Sequence, residues 1–420
     1  MGTRGDVQPY VALGLGLQKA GYQVKLASLD IFQEFIISRG LNFAPVGSIP
    51  QKLSQKSQNK NHTKNLKFHG LFGRVIWWIV YRSILETFMA NSWNVCQDAE
   101  AIIYSRLALP GYHIAEKLGI PCYAAYTNPL IPTCAFPNPL MTSDFNLNGS
   151  LNRLSHIYEE QLFWQFSRNK INKWRQETLN LPPLPITGFY SRQEKQQIPI
   201  LHCYSESVLP KPIDWSDRVE VTGYWFLDRP SNWQPPAELV NFLESGSPPV
   251  YIGFGSMKDT NPEALTKLVV AALAQSGQRG ILLTGWGGIS ELDVPDHVLV
   301  VKSVPHDWLF PQMAAVVHHG GAGTTSAGLR AGVPSIIIPF GADQPFWGKR
   351  VFQLGVGAEP IPRKDLTVEK LATAIKTVTS DEKIKTNARI LGEKIRSENG
   401  VANAVEIINR QLTISHSLNH

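Results

Sequence analysis

Between Ala314 and Trp347 the chain gathers residue types that suit an anion. The apolar run Ala314–Val317 breaks into His318-His319-Gly320-Gly321-Ala322-Gly323-Thr324-Thr325, and a helix-compatible segment follows. A strand that passes through glycines into a helix start presents free backbone N–H groups to a negative ligand. The glycines let the backbone approach a phosphate closely, and Thr324 and Thr325 add hydroxyl donors. The histidine ahead of the glycines supplies a proton or a charge. A second apolar run, Ser335–Pro339, leads to a polar loop that ends in Asp343-Gln344, with Trp347 close behind. A third, Val250–Phe254, runs into Gly253-Phe254-Gly255-Ser256, a Gly-X-Gly turn that is weak alone and gains meaning from opening the second half.

The elements that must carry these residues alternate along the chain. In the first half, Val7–Ala20 and Asp30–Arg39 read as helices, the second capped by Asp30. Tyr22–Ser28, Ala101–Ser105, Cys122–Tyr126 and Pro199–Tyr204 read as strands, and Leu151–Asn180 as a long helix. The second half repeats the pattern with Val250–Phe254, Gly280–Thr284, Val298–Val301, Ala314–His318 and Ser335–Pro339. Strands separated by helices of about ten or more residues predict parallel sheets covered on both faces. The Pro-rich, polar stretch Leu227–Pro249 reads as the linker between halves. The expected division is 1–230, 231–395 and a C-terminal helix, 396–420, that packs back on the first domain.

At 420 residues two domains fit better than one core. A composition of 43% hydrophobic and 18% charged residues is that of a globular protein. Cys96, Cys122, Cys134 and Cys203 share no metal-ligand spacing and read as reduced, cytosolic thiols. No signal-peptide pattern opens the chain. The net charge of +6 is modest and implies no nucleic-acid partner, but it is uneven. Lys52, Lys56, Lys60, Lys64 and Lys67 occur with no acid between them, just ahead of the aromatic stretch Phe68–Trp93. This suits peripheral contact with an anionic membrane surface, and equally a solvated loop beside a core helix. The run Val75–Tyr81 is far short of the roughly 20 residues a membrane span needs.

Four segments in order carry a resemblance. Gly2-Thr3-Arg4-Gly5-Asp6-Val7-Gln8-Pro9-Tyr10, Gly253–Met257, Val304-Pro305-His306-Asp307-Trp308-Leu309 and the block Val316–Leu354 together resemble the nucleotide-sugar glycosyltransferases of GT-B fold. The chain looks most similar to the sterol 3-β-glucosyltransferase group and its bacterial natural-product relatives. The resemblance implies an α/β fold of two Rossmann-like domains with parallel sheets facing a central cleft. It implies an inverting transfer of glucose from UDP-glucose to a sterol-like or other lipophilic hydroxyl, without cofactor or metal. No Asp-X-Asp occurs in the sequence to hold a diphosphate through a metal.

The resemblance also distributes roles. Asp6, in its glycine-flanked loop, would be the base that deprotonates the acceptor; the plainer alternative is a helix cap near Pro9. The helix start at Gly321, Gly323, Thr324 and Thr325, with His319 and Ser256, would meet the diphosphate. His318 would face the sheet. Asp343 and Gln344 would bind sugar hydroxyls, and Trp347 would pack over sugar or diphosphate. Val304 and Trp308 would cradle the nucleobase, although Trp308 also suits a core. Trp77, Trp78, Phe136 and Met141 would line the acceptor site. Other readings are a different UDP- or TDP-sugar passed to a polyketide, carotenoid or peptide, and an inactive accessory subunit. An NAD-dependent enzyme is disfavoured, because no Gly-X-Gly-X-X-Gly follows a first strand with an acid about 20 residues on. In the family a buried strand precedes the Gly2–Asp6 loop. With the loop starting at residue 2, the expectation is that the true start lies upstream of Met1.

Overall fold

A computed structural model describes residues 4–48, 70–141, 148–188, 190–257, 259–284 and 293–418, with backbone alone at 70–80, 83, 190–191 and 414–418. The chain forms two compact units. The first comprises Met1–Glu206, Lys211–Phe226 and Asn399–His420, and the second Ser207–Pro210 with Leu227–Glu398.

In the first unit the order is α1 (Arg4–Lys19), β1 (Lys25–Leu29), α2 (Gln33–Ile37), β2 (Asn42–Gly47), α3 (Gly70–Val95), β3 (Ile102–Tyr104), α4 (Pro110–Leu118), β4 (Cys122–Tyr126), α5 (Gly149–Glu177), α6 (Tyr190–Lys195), β5 (Ile200–His202) and β6 (Val219–Val221). Every pairing is parallel: β1 with β2, and β3-β4-β5-β6 in line. Among the described residues β1 and β3 each have one partner strand, so the sheet stands in two pieces. The Tyr10 hydroxyl donates to the Ala125 carbonyl at 2.7 Å, which fixes α1 over β4.

The second unit contains α7 (Ala237–Glu244), β7 (Val250–Gly253), α8 (Pro262–Ser276), β8 (Gly280–Leu283), β9 (Val298–Val301), α9 (His306–Leu309), β10 (Ala315–His318), α10 (Ala322–Ala331), β11 (Ser335–Ile337), α11 (Gln344–Gln353), α12 (Val368–Ser380) and α13 (Glu382–Ser397). Its strands form one parallel sheet in the order β11-β10-β7-β8-β9. Val250 and Ile252 pack with α8 and α12 on one face, while Tyr251 packs with Leu309 and Phe310 on the other. That alternation is the period of two a strand dictates, and burial on both faces explains the continuous apolar runs. Helix boundaries follow local chemistry: Asn261 accepts from the Ala264 N–H to cap α8, Pro262 follows, and Gly277 ends it at φ +71°. The last helix, α14 (Gly400–Leu418), returns to the first unit. A methyl group on Gly16 of α1 would lie 2.4 Å from Val401, so the two helices meet at that glycine.

Several boundaries differ from the sequence expectation. α1 begins at Arg4, so Asp6 lies in its first turn and not in a loop ahead of it. Pro9 is inside α1, past its first turn, where it leaves the Gly5 carbonyl without the N–H that would normally reach it. Asp30 is not a cap; Leu29 holds that position, and the Asp30 carboxylate accepts from the Ser48 hydroxyl at 2.6 Å. β2 and β6 went unread because Pro45 and Glu220 interrupt their apolar patterns. The expected linker Leu227–Pro249 contains α7, whose Leu239 is buried in the second unit's core. The basic stretch Lys52–Lys67 lies outside the described residues, as do Gly2 and Thr3.

Candidate active site

Three neighbouring strands of the second unit end at one level. His318 on β10 pairs with Gly253 on β7 and with Ile337 on β11, so the loops that follow all leave the sheet together. This is where open parallel sheets bind ligands. Two glycines with positive φ turn the chain there, Gly255 at +57° and Gly320 at +88°. At Gly320 a side chain would also lie 2.5 Å from Ile337 and 3.1 Å from the Gln344 carbonyl, so only glycine fits.

The two histidines divide their work. His318 is fully buried, and its Nδ1 accepts from the Gly320 N–H at 3.1 Å, which puts its proton on Nε2. It braces the turn from within the second unit. His319 sits half-buried in a slot between glycines: a methyl on Gly255 would lie 3.0 Å from its Cε1, and one on Gly321 2.5 Å from its Nε2. Its Nδ1 has no hydrogen-bond partner among the described residues. Burial lowers its pKa to about 4. The ring is therefore neutral at physiological pH without ligand, offering one N–H and one lone pair and no charge.

Beside it α10 starts at Gly321 without a capping side chain and without an acid in its first turn. Its first-turn N–H groups and the positive end of its dipole are what an anion needs. Gly323 is exposed, Thr324 half-exposed, and Thr325 buried with its Oγ1 unpartnered among the described residues. Ser256 is half-exposed in the loop after β7.

The β11 loop is held from within. Ala342 adopts φ +55°, a conformation non-glycine residues rarely take, immediately before Asp343. The Gln344 side-chain oxygen accepts from the Phe340 and Gly341 N–H groups at 2.7 and 3.1 Å, and its Nε2 donates to the Met257 sulfur at 3.3 Å. The Gln344 carbonyl oxygen is thus committed to the loop, leaving the amide N–H as its means of reaching a ligand. Trp347 corrects the expectation of a ring open to the sugar. It is buried, and its indole N–H donates to Asp343 Oδ2 at 3.0 Å, so it supports the carboxylate from beneath. Sequence reasoning missed the roles of Met257 and Gly255, which lay in a quoted motif, and that Gly321, read as a diphosphate contact, also walls the His319 slot. It also missed Asp259, whose carboxylate holds Arg363 at 2.6 Å behind the same loops.

Val304 is buried in the core with Tyr251, so it can offer only backbone groups. Trp308 is half-buried against that core and 5.3 Å from the ring of Trp233, consistent with both readings given above.

In the first unit Asp6 is exposed, one helical turn ahead of the anchored Tyr10, and its charge acts on the buried Tyr10 phenol. Phe136 lies 6.0 Å from His156 and 6.4 Å from Trp215, in an aromatic cluster. His156 reaches the carbonyl oxygens of Phe136 and Leu130 at 3.1 and 3.2 Å, and burial lowers its pKa to about 4. Met141 is half-buried, and its N–H donates to the Asn138 carbonyl at 2.9 Å. Trp77 and Trp78 lie on α3, and their side chains fall outside the description. Among the described residues no three His, Cys, Asp or Glu side chains converge to hold a metal ion.

Residues 1–137 match the glycosyltransferase family 28 N-terminal domain, and residues 287–410 match the erythromycin biosynthesis protein CIII-like C-terminal domain. The chain is 40% identical over 433 residues to the sterol 3-beta-glucosyltransferase of Pichia angusta, covering 100% of this chain and 33% of that protein. It is 40% identical over 424 residues to the sterol 3-beta-glucosyltransferase UGT80A2 of Arabidopsis thaliana, covering 98% and 64% respectively. The chain thus spans about a third of the fungal relative's length. Among solved structures, the glycotransferase of kitacinnamycin aligns with a TM-score of 0.71 at 20% identity, covering 97% of this chain and 96% of that one. The calicheamicin glycosyltransferase CalG4 aligns at 0.69 and 15%, covering 99% and 97%.

Two all-parallel units, with glycine-shaped loops at one end of the second sheet, define the GT-B fold of glycosyltransferases. Within that class the chain is related to the sterol 3-beta-glucosyltransferases and to the bacterial natural-product glycosyltransferases.

Proposed function

We propose that the chain transfers glucose from UDP-glucose to the hydroxyl of a sterol-like or other lipophilic acceptor, with inversion, giving a β-glycoside. The observation that carries the donor half is the uncapped start of α10 beside His319 in its glycine slot. In this reading the helix N–H groups, Thr324 and the His319 N–H hold the diphosphate. A neutral ring fits this task well: binding a dianion favours its protonation, so the site gains charge complementarity as the donor arrives. Asp343, steadied by Trp347, accepts hydrogen bonds from two sugar hydroxyls.

The acceptor oxygen attacks the anomeric carbon while the Asp6 carboxylate takes the hydroxyl proton. The bond to the diphosphate breaks with its electron pair, and UDP leaves stabilised by the helix start. The acceptor is lipophilic because the named activity of the relatives is on sterols. Phe136 and Met141, with Trp77 and Trp78, are the residues assigned to hold it. We place the chain in the cytoplasm, at the inner face of a membrane; its four cysteines are free thiols, as a reducing compartment allows. The stretch Lys52–Trp93 is one candidate for membrane contact.

The experiment is turnover on UDP-glucose with ergosterol or cholesterol delivered in cyclodextrin, read by mass spectrometry, with the anomeric configuration read by proton NMR. The expected product is the β-glucoside, formed equally with and without excess EDTA. An α-linked product, or activity lost in EDTA and restored by Mn²⁺ or Mg²⁺, contradicts the mechanism. A TDP-sugar donor is the second reading, favoured by the C-terminal match to an erythromycin biosynthesis protein; preference for TDP-glucose in the same assay would select it.

A further inference from the structure

Over residues 151–160 the long helix α5 buries its polar residues and exposes its apolar ones, while further along it buries Phe163, Trp164, Ile171 and Trp174. Asn152, Ser155, His156, Glu159 and Glu160 face inward, while Leu151, Leu154, Ile157 and Tyr158 are 38–57% exposed. This inverts the usual pattern of a helix at a protein surface. The stripe continues at both ends through hydrogen bonds that bring further apolar residues alongside. Gln165 donates to the Ile186 carbonyl at 2.7 Å and Gln161 to the Thr187 carbonyl at 3.0 Å, so Ile186, 64% exposed, extends it in one direction. Arg153 lies 4.0 Å from Asp214, which sets the fully exposed Ile213 at the other.

Positions 151, 154, 158, 161 and 165 share one helix face, about 21 Å long at 1.5 Å per residue. Six of the ten exposed large apolar side chains among the described residues lie along it. From Ser150 to Phe166 the only charged side chain that reaches solvent is Arg153, because Glu159 and Glu160 are buried.

We infer that this face of α5, with Ile186 and Ile213, is a docking surface for an anionic lipid bilayer. A strip of apolar side chains with an aromatic hydroxyl and a basic group, whose one carboxylate, Asp214, lies at its end within 4.0 Å of Arg153, matches the acyl–headgroup boundary. The chain's net charge of +6 adds attraction to anionic lipid. A second copy of the chain fits less well, since a strip one helix wide falls short of the roughly 800 Å² per partner that a stable dimer buries. The surface deepens the reading of a lipophilic acceptor: an enzyme whose acceptor resides in a bilayer gains by lying on it.

The test is flotation of the full chain with phosphatidylcholine vesicles containing 30% phosphatidylglycerol, compared with phosphatidylcholine alone. Leu154→Glu/Tyr158→Glu and, independently, Ile213→Glu/Ile186→Glu carry charge into the two halves of the stripe. Wild type should float with the anionic vesicles, and each double variant should lose at least about tenfold in bound fraction while keeping its melting temperature. Turnover on cyclodextrin-held sterol should not change. That assay separates the two ideas, since its failure in wild type strikes the acceptor reading and leaves flotation to judge the surface. Flotation unchanged in both variants, or no flotation by wild type, overturns the inference. So does a concentration-dependent dimer in sedimentation that the variants abolish.

Discussion

The two units treat their candidate residues in opposite ways. In the second, three adjacent strands end at one level and their loops lock one another. Gly255 and Gly321 hold His319, Gln344 ties the β11 loop to Met257, and Trp347 anchors Asp343. In the first, the sheet stands in two pieces among the described residues, Asp6 is exposed on an opening helix turn, and the assigned acceptor residues are scattered over α3 and the loop after β4. A nucleoside diphosphate has fixed shape and charge, so a preorganised cradle of short loops suits it. An apolar acceptor offers little but surface and one hydroxyl, and asks for contact area and a single base. Rigidity is invested where the ligand is most defined.

The largest effect should come from an exposed residue of the first unit. Asp6→Asn should cut turnover by about 10²–10⁴, the range for losing a general base, with the KM for donor little changed. Near-normal turnover would leave Asp6 as a helix-start charge and nothing more.

The cradle is probed next by filling its slot. Gly321 has φ −62°, so alanine meets no backbone penalty there, but its methyl would lie 2.5 Å from His319 Nε2. Gly321→Ala should weaken UDP binding by about 10–100-fold, the worth of one hydrogen bond to a charged group, with little change in melting temperature. Unaltered binding measured by calorimetry would show that the ring's position is irrelevant to the donor.

Acid should test both units through their buried rings. His156 and His319 are each held near 4 by burial, against about 6.5 for an unfolded histidine. Between those values the unfolded chain binds more protons, so stability is full above about pH 6.5 and falls as pH drops towards 4. His156→Asn and His319→Asn should each flatten that limb in thermal melts from pH 7 to 4.5. A limb of unchanged slope in either variant would assign the acid loss to other groups.

The smallest change is Trp347→Phe, which keeps a buried ring and deletes the indole N–H to Asp343. It should cost a few-fold in kcat/KM for UDP-glucose, about 0.5–1.5 kcal/mol for one hydrogen bond, and relax discrimination against UDP-galactose. Unchanged selectivity would detach Asp343 from the sugar.

Much of the second unit was legible in the sequence because its strands are buried on both faces and read as unbroken apolar runs. Val298–Val301 matches its strand residue for residue, as does Cys122–Tyr126 in the first unit. The glycine-rich turn after β10 was legible for the same reason that it functions, since only glycine fits at Gly320. What stayed hidden depends on contacts distant in sequence. Met257 meets Gln344 from 87 residues away, and no spacing rule signals it. Trp347 carries an aromatic signature that suits a ligand wall or a buried support, and only burial decides between them. α1 begins earlier than read because Gly5 and Pro9 argue locally against a helix. Packing against α14 at Gly16 and the Tyr10 anchor favour it.

The central claim is a division of labour: the second unit holds the donor, and Asp6 of the first performs proton transfer. Calorimetric titration of UDP into wild type, Asp6→Asn and His319→Ala, side by side, tests it most directly. The account predicts that Asp6→Asn binds within about twofold of wild type while His319→Ala weakens at least about tenfold. Equal weakening of both, or loss of binding in Asp6→Asn alone, would contradict it.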